Sequence, residues 1–203
     1  MSQPSETTAD VILEFVQSLD ITQPTYRWDP ELRSRIKKIV SGWEFDASLM
    51  LLEICFGVAL AETSYTHIAN VDTRAAIALY CSLIAYLDNI NLFDTPTARS
   101  FPRQLCGASP KDSAWVKALR EVLLSMWKWY TDFGANAMFY GALEYFNGAM
   151  LESAPGQSKV VHPRTLPFVE LRRTLNGLPD PFTCLFWEKP AFPHEKIYAE
   201  VIP

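Results

Sequence analysis

Asp88 stands at the end of an apolar run, in the segment Tyr86-Leu87-Asp88-Asn89-Ile90-Asn91-Leu92-Phe93-Asp94. A carboxylate at a helix C-terminus meets the negative end of the macrodipole, which costs about 0.3–1 kcal/mol at a surface site. Burial adds to that cost unless a cation offsets the charge. A divalent cation is one such partner, since Mg2+ takes one or two carboxylates together with substrate phosphates. Asn89 and Asp94 are near enough in sequence to join the same donor set. The competing reading is a frayed helix end whose carboxylate faces water.

Two further groups have the chemistry to work beside such a cation. In Leu171-Arg172-Arg173-Thr174-Leu175-Asn176-Gly177-Leu178 the adjacent arginines of a short helix point to different sides, so one can face inward. Arginine suits bidentate contact with phosphate, although adjacent arginines are also common on solvated faces. In Leu143-Glu144-Tyr145-Phe146-Asn147-Gly148, together with Phe139 and Tyr140, several rings share a helix with small residues. Such rings could wall an apolar cavity and stabilise a carbocation through their π faces, or form plain core. His67, His162 and His194 show no metal or triad spacing and read as surface or satisfied residues. No Gly-rich phosphate loop, nucleophile elbow or paired-carboxylate glycosidase signature stands out.

The elements that would carry these groups read as helices. The chain has 203 residues, a formal charge of −5 and 49% hydrophobic residues. That is an ordinary globular composition, which excludes disordered and collagen-like classes. The acidic balance excludes a general nucleic-acid footprint. Val11, Ile12, Phe15, Val16 and Leu19 recur at one-face helical spacing, with Thr7 or Thr8 as caps, and Leu32, Ile36, Ile39 and Val40 mark a second, basic helix. Asp46 is placed to cap a third helix over 47–63, apolar almost all round and so expected to be central. Asp72 is placed to cap a fourth over 73–89. Thr95 to Pro110 is broken by prolines and Gly107 into loop with one short helix. Helices follow over 113–130 and 136–151, with Gly134 as breaker or kink between them. A short helix over 167–175 closes at Asn176-Gly177, and further helical pieces fall around 181–187 and 194–202.

No alternating strand pattern and no repeat is visible, so the fold class is all-α. Cys55, Cys81, Cys106 and Cys184 have no ligand spacing and read as buried free thiols. The N-terminus lacks a signal-peptide pattern, and the longest uncharged apolar run, 75–87, is shorter than the ~20 residues of a membrane span. A cytoplasmic protein with no membrane span is expected.

Taken in order, these blocks resemble the trichodiene synthase family of fungal class I sesquiterpene cyclases. Tyr86-Leu87-Asp88-Asn89 through Asp94-Thr95-Pro96 resembles the family's aspartate-rich helix end. Leu143-Glu144-Tyr145-Phe146-Asn147-Gly148, with Glu152 beyond, resembles its L-[DE]-[FY]-F-x-G-x-x-x-E helix. Phe168 to Leu178 resembles its F-x-x-x-R-R-x-x-N-G-L block, and Leu185-Phe186-Trp187 with Pro190 and Phe192 the next one. The resemblance is best from about Ala75 to Phe192.

It implies a class I terpenoid synthase bundle of which residues 10–203 are the N-terminal portion, behind a flexible stretch at 1–9. It implies Mg2+ on Asp88, with Asn89 and Asp94 as further ligands, and Arg172 as the arginine that senses the diphosphate. Tyr145 becomes a cavity aromatic. The substrate implied is farnesyl diphosphate or a related isoprenoid diphosphate, ionised and cyclised to a sesquiterpene. A second copy or another cyclase is the protein partner expected.

The sequence departs from the family pattern in two places. Asn89 stands where the family has its second aspartate, with Leu92 at the later acid. The family's second metal motif and its Arg-Tyr pair have no match within these residues. Two alternatives therefore stand beside cyclisation: a half-cyclase that binds isoprenoids or a partner, and a tailoring enzyme that traps an allylic cation.

Overall fold

The structure, a computed structural model, describes residues 8–19, 26–89, 99–107, 113–152 and 166–201. Among them every regular element is helical. The elements are α1 (Thr8–Ser18), α2 (Pro30–Val40), α3 (Leu51–Thr63), α4 (Val71–Ala85), α5 (Phe101–Leu105), α6 (Ala114–Trp129), α7 (Asp132–Glu152), α8 (Leu166–Thr174), α9 (Pro179–Cys184) and α10 (Lys196–Val201). A 3-10 turn, Ala47–Met50, leads into α3, and another, Tyr86–Asp88, extends α4.

The centre of the bundle is α4. Every residue from Ala75 to Ile84 is buried, because α4 packs against α2, α3 and α6 at once. Its apolar run therefore needs no membrane, and no helix among the described residues is long and apolar enough to cross one. The N-cap of α4 is Asn70, whose side chain accepts from the amides of Asp72 (2.9 Å) and Thr73 (3.4 Å). This corrects the expectation that Asp72 caps the helix. Asp72 lies in the first turn, where its charge favours the helix dipole, and pairs with Arg35 at 2.5 Å.

A buried polar knot fixes the start of α2 against the ends of α3 and α4. The side chain of Glu62 has no exposed surface, and both its oxygens lie 2.7 Å from Arg33 nitrogens. The hydroxyl of Tyr26 and the amide of Asp29 also donate to it. Asp29 in turn caps α2 through the amide of Leu32 and pairs with Arg74 at 2.5 Å. These bonds replace the water that a buried carboxylate loses.

Three other expectations change. Helix α3 is not enclosed. It buries Gly57, Val58, Ala61 and Glu62 but leaves Leu51 at 60%, Leu52 at 81% and Phe56 at 51% exposure. Being apolar all round shows what a helix could bury, whereas packing decides how many sides have neighbours. Gly134 neither ends nor kinks a helix. The break falls at Tyr130–Thr131, and Gly134 sits in the first turn of α7 because a Cβ there would meet the hydroxyl of Tyr198 at 2.7 Å. Cys81 and Cys184 are buried free thiols as expected, but Cys55 and Cys106 are free and exposed. The amphipathic helix α1 forms where its spacing places it, yet buries none of its residues.

Candidate functional site

Asp88 closes the 3-10 turn that continues α4. Aromatic packing holds this end of the helix: Tyr86 meets the edge of Trp115, Trp115 stacks on Phe101 at 5.6 Å, and Phe101 stacks on Phe146 of α7 at 4.5 Å. The Asp88 carboxylate is exposed, as the frayed-end reading has it, but it also has a partner. The hydroxyl of Tyr145 on α7 donates to its Oδ1. Burial of Tyr145 pushes its phenol above the ordinary value, and the bond to Asp88 adds to the rise. Tyr145 is therefore a protonated donor at neutral pH.

The ring of Tyr145 also lies near Arg172. The guanidinium carbon lies 5.8 Å from the Tyr145 ring centroid, within reach of a cation–π contact. Arg172 sits on α8 and turns inward, its side chain 19% exposed, while Arg173 is exposed. The adjacent arginines thus do point to different sides. Nε of Arg172 lies 2.7 Å from Oε1 of Glu152, Nη2 donates to Oε2 at 3.2 Å, and Nη1 donates to the carbonyl of Leu175 at 3.4 Å.

Close backbone contact makes this placement possible. At Gly148 a Cβ would stand 2.8 Å from the carbonyl of Leu175 and 2.9 Å from Nη1 of Arg172. Only a residue without a side chain lets the guanidinium lie against α7. At Gly177, where φ is +64°, a Cβ would meet the carbonyl oxygen of Gly141 at 2.2 Å. The turn after α8 therefore needs glycine twice over, for its left-handed backbone and for its approach to α7.

Two concavities share this centre. An apolar pocket of ≈ 150 Å³ lies between α3, α4, α7 and α9, lined by Phe56, Tyr80, Cys81, Ile84, Ala85, Asp88, Tyr145, Leu178 and Phe182. An open cleft of ≈ 420 Å³ adjoins it, lined by Tyr145, Glu152, Val169, Arg172, Arg173, Asn176 and Leu178. Tyr145 and Leu178 belong to both. The apolar pocket alone is below the ~300–1,000 Å³ usual for ligand sites, and the two together fall within that range. A molecule with an anionic head and an apolar tail would find a cation for the first and a greasy wall for the second.

Of the sequence-derived site residues, Asp88, Tyr145 and Arg172 come together, with Tyr145 near both others. Asn89 follows Asp88, half-buried. Asp94 lies outside the described residues. The other rings of α7 do not join. Tyr140 is exposed on the far face, Phe139 packs on Trp127, and Phe146 belongs to the core stack. Helical spacing turns Tyr140 away from Tyr145. His67 is satisfied by the carbonyl of Phe186 at 3.1 Å and by stacking on its ring, and His194 is exposed. His162 lies outside the described residues. Sequence reasoning gave no role to Gly148 or to the Glu152–Arg172 pair. The signal was present in the four-residue step from Gly148 to Glu152, which puts both on the face of α7 that meets α8.

Known proteins resemble this chain over most of its length. The family model described as Trichodiene synthase (TRI5) matches residues 52–203. The chain is 31% identical over 195 residues to Monoterpene synthase 25 of Postia placenta, covering 96% of this chain and 58% of that protein. It is 32% identical over 200 residues to Terpene synthase 29 of the same organism, covering 98% of this chain and 58% of that protein. The chain thus spans rather more than half the length of these relatives. The match takes in the segments that carry Asp88, Tyr145 and Arg172, and the chain belongs to the trichodiene synthase family.

Proposed function

We propose that this chain forms the diphosphate end, and part of the hydrocarbon pocket, of a terpene synthase acting on an isoprenoid diphosphate. The observation that carries the reading is the position of Tyr145, which donates to Asp88, lies 5.8 Å from the Arg172 guanidinium and lines both the apolar pocket and the open cleft. Arg172 binds the diphosphate oxygens and stabilises charge that builds as the carbon–oxygen bond breaks. The ring of Tyr145 lies within reach of one cation already and offers the same π face to an allylic cation. Phe56, Ile84 and Phe182 keep water from that cation.

The donor set suits Mg2+ in a limited way. Asp88 supplies one exposed carboxylate and Asn89 an amide oxygen, which is the lower end of what Mg2+ takes when a substrate phosphate supplies further oxygens. Among the described residues no group of three or more His, Cys, Asp or Glu is placed to hold a metal. Asp94 is the natural further ligand from sequence. Bound there, Mg2+ would neutralise charge on the leaving diphosphate.

Trapping of the cation by a protein nucleophile is disfavoured, and a tailoring enzyme would draw its nucleophile from a second substrate. Burial pushes the Cys81 thiol up to about 12 and raises the Tyr145 phenol, so neither pocket group is an anion at neutral pH. The name of one relative, Monoterpene synthase 25, favours a ten-carbon chain over the fifteen-carbon farnesyl chain. Binding without turnover is the second reading, favoured by the amide at Asn89. The test is incubation with Mg2+ and either geranyl or farnesyl diphosphate, followed by pyrophosphate release and gas chromatography. Release with a cyclic product supports the synthase, and binding without release supports the second reading. Absence of both contradicts the assignment.

A further inference from the structure

The carboxylate of Glu152 fills the edge of Arg172 that an incoming phosphate would use. It stands 2.7 Å from Nε, an ion-pair distance without a hydrogen bond, and accepts from Nη2 at 3.2 Å, along the edge by which a guanidinium also grips phosphate. Nη1 is directed to the Leu175 carbonyl. The anion-binding side of Arg172 is thus occupied by an anion of the protein's own. The two partners are unequal. The side chain of Arg172 is 19% exposed and that of Glu152 51%. Arg172 needs a counter-charge where it lies, whereas Glu152, the last residue of α7, can turn to water. An ion pair with an exposed partner is weak enough to exchange.

Resting on the diphosphate reading of this cleft, we infer that Glu152 is the resting counter-ion of Arg172, displaced when the diphosphate binds. It is a positioning residue. It holds the guanidinium fork in the orientation the ligand needs, and by competing it sets how tightly the cleft holds anions. Competition of this kind weakens different anions by one common factor, the fraction of molecules in which Arg172 is released.

The experiment compares wild type, Glu152→Gln and Glu121→Gln by calorimetric titration with inorganic pyrophosphate and with orthophosphate, at one Mg2+ concentration. Glu121 is an exposed carboxylate on α6, in a different groove with Arg35 and Asp72. Glu152→Gln is expected to bind pyrophosphate roughly two- to ten-fold more tightly. Orthophosphate should tighten by a similar factor, and Glu121→Gln should change neither. Unchanged or weaker binding by Glu152→Gln overturns the inference, as does equal tightening by Glu121→Gln. If Glu152→Gln fails to fold, Glu152→Asp, one methylene shorter and so held less closely to Arg172, is expected to tighten binding in the same direction. Wild-type protein that binds no pyrophosphate contradicts the diphosphate reading itself. Binding that Glu152→Gln fails to tighten contradicts this inference alone.

Discussion

The hydroxyl of Tyr145 donates to Oδ1 of Asp88, joining α7 to the end of α4 across 57 positions of sequence. A carboxylate at the negative end of a helix dipole is thereby partly compensated by a neutral donor. The same ring lies under Arg172, so one side chain links the carboxylate end and the arginine end of the site.

The two functions of Tyr145 separate by substitution. Tyr145→Phe keeps the ring and loses the donor. Because Asp88 is exposed, water takes over the bond, and the stability loss should stay within about 1 kcal/mol. Tyr145→Leu removes the ring as well. Turnover of the isoprenoid diphosphate should fall modestly in the first variant and by roughly ten-fold or more in the second. Equal losses, read by product chromatography beside thermal melts, would assign the effect to the hydroxyl instead.

Gly148→Ala should displace the arginine, whose Nη1 would lie 2.9 Å from the new methyl. The new methyl would lie 2.8 Å from the Leu175 carbonyl, and α8 must move away from α7. Overpacking of this kind costs about 1–3 kcal/mol. Pyrophosphate affinity should fall together with the melting temperature. A variant that melts lower yet binds as well as wild type would show that Arg172 does not depend on this contact.

The knot around Glu62 has a pH signature. Burial raises its carboxyl, but the hydrogen bonds from Arg33, Tyr26 and the Asp29 amide outweigh that and leave it below the ordinary 4.5. A group whose folded value is depressed contributes stability that is full above its unfolded value and is lost as pH falls through the folded one. Wild type should therefore lose stability on acidification below about pH 4.5, and Glu62→Gln should lack this part of the acid limb. At neutral pH that variant should lose about 2–3 kcal/mol, less than the ~3–5 of a fully buried pair because Arg33 is part-exposed. Denaturant melts at pH 7 and pH 4 give both values. Parallel acid limbs in the two proteins would contradict the assignment.

How much of this was legible in the sequence depends on range. Helices α2, α4 and α6 follow from local spacing, and α8 from spacing together with Asn176-Gly177. The Asn70 cap was missed because Asn70 and Asp72 stand two residues apart and either suits a helix start. The exposure of Leu52 and Phe56 was not legible, because an all-round apolar helix does not state which neighbours it has. Of the candidate site, Asp88, Tyr145 and Arg172 are proposed from ordered blocks of residues. Their mutual contacts, and the 20-residue link from Arg172 to Glu152, were not found. Those depend on the crossing of α7 and α8, fixed by the close approaches at Gly141, Gly148 and Gly177.

The central claim is that an anion cleft at Arg172 and an apolar pocket at Tyr145 form one site. Titration with a thiolo analogue of geranyl diphosphate, which resists ionisation, tests it against inorganic pyrophosphate under the same Mg2+. At about 0.8 kcal/mol per buried CH2, the analogue should bind at least roughly ten-fold more tightly than pyrophosphate. Arg172→Lys should weaken both ligands by a similar factor, and Arg35→Lys, in a separate groove, neither. Equal affinity for the two ligands, or binding indifferent to Arg172→Lys, would contradict a joined site.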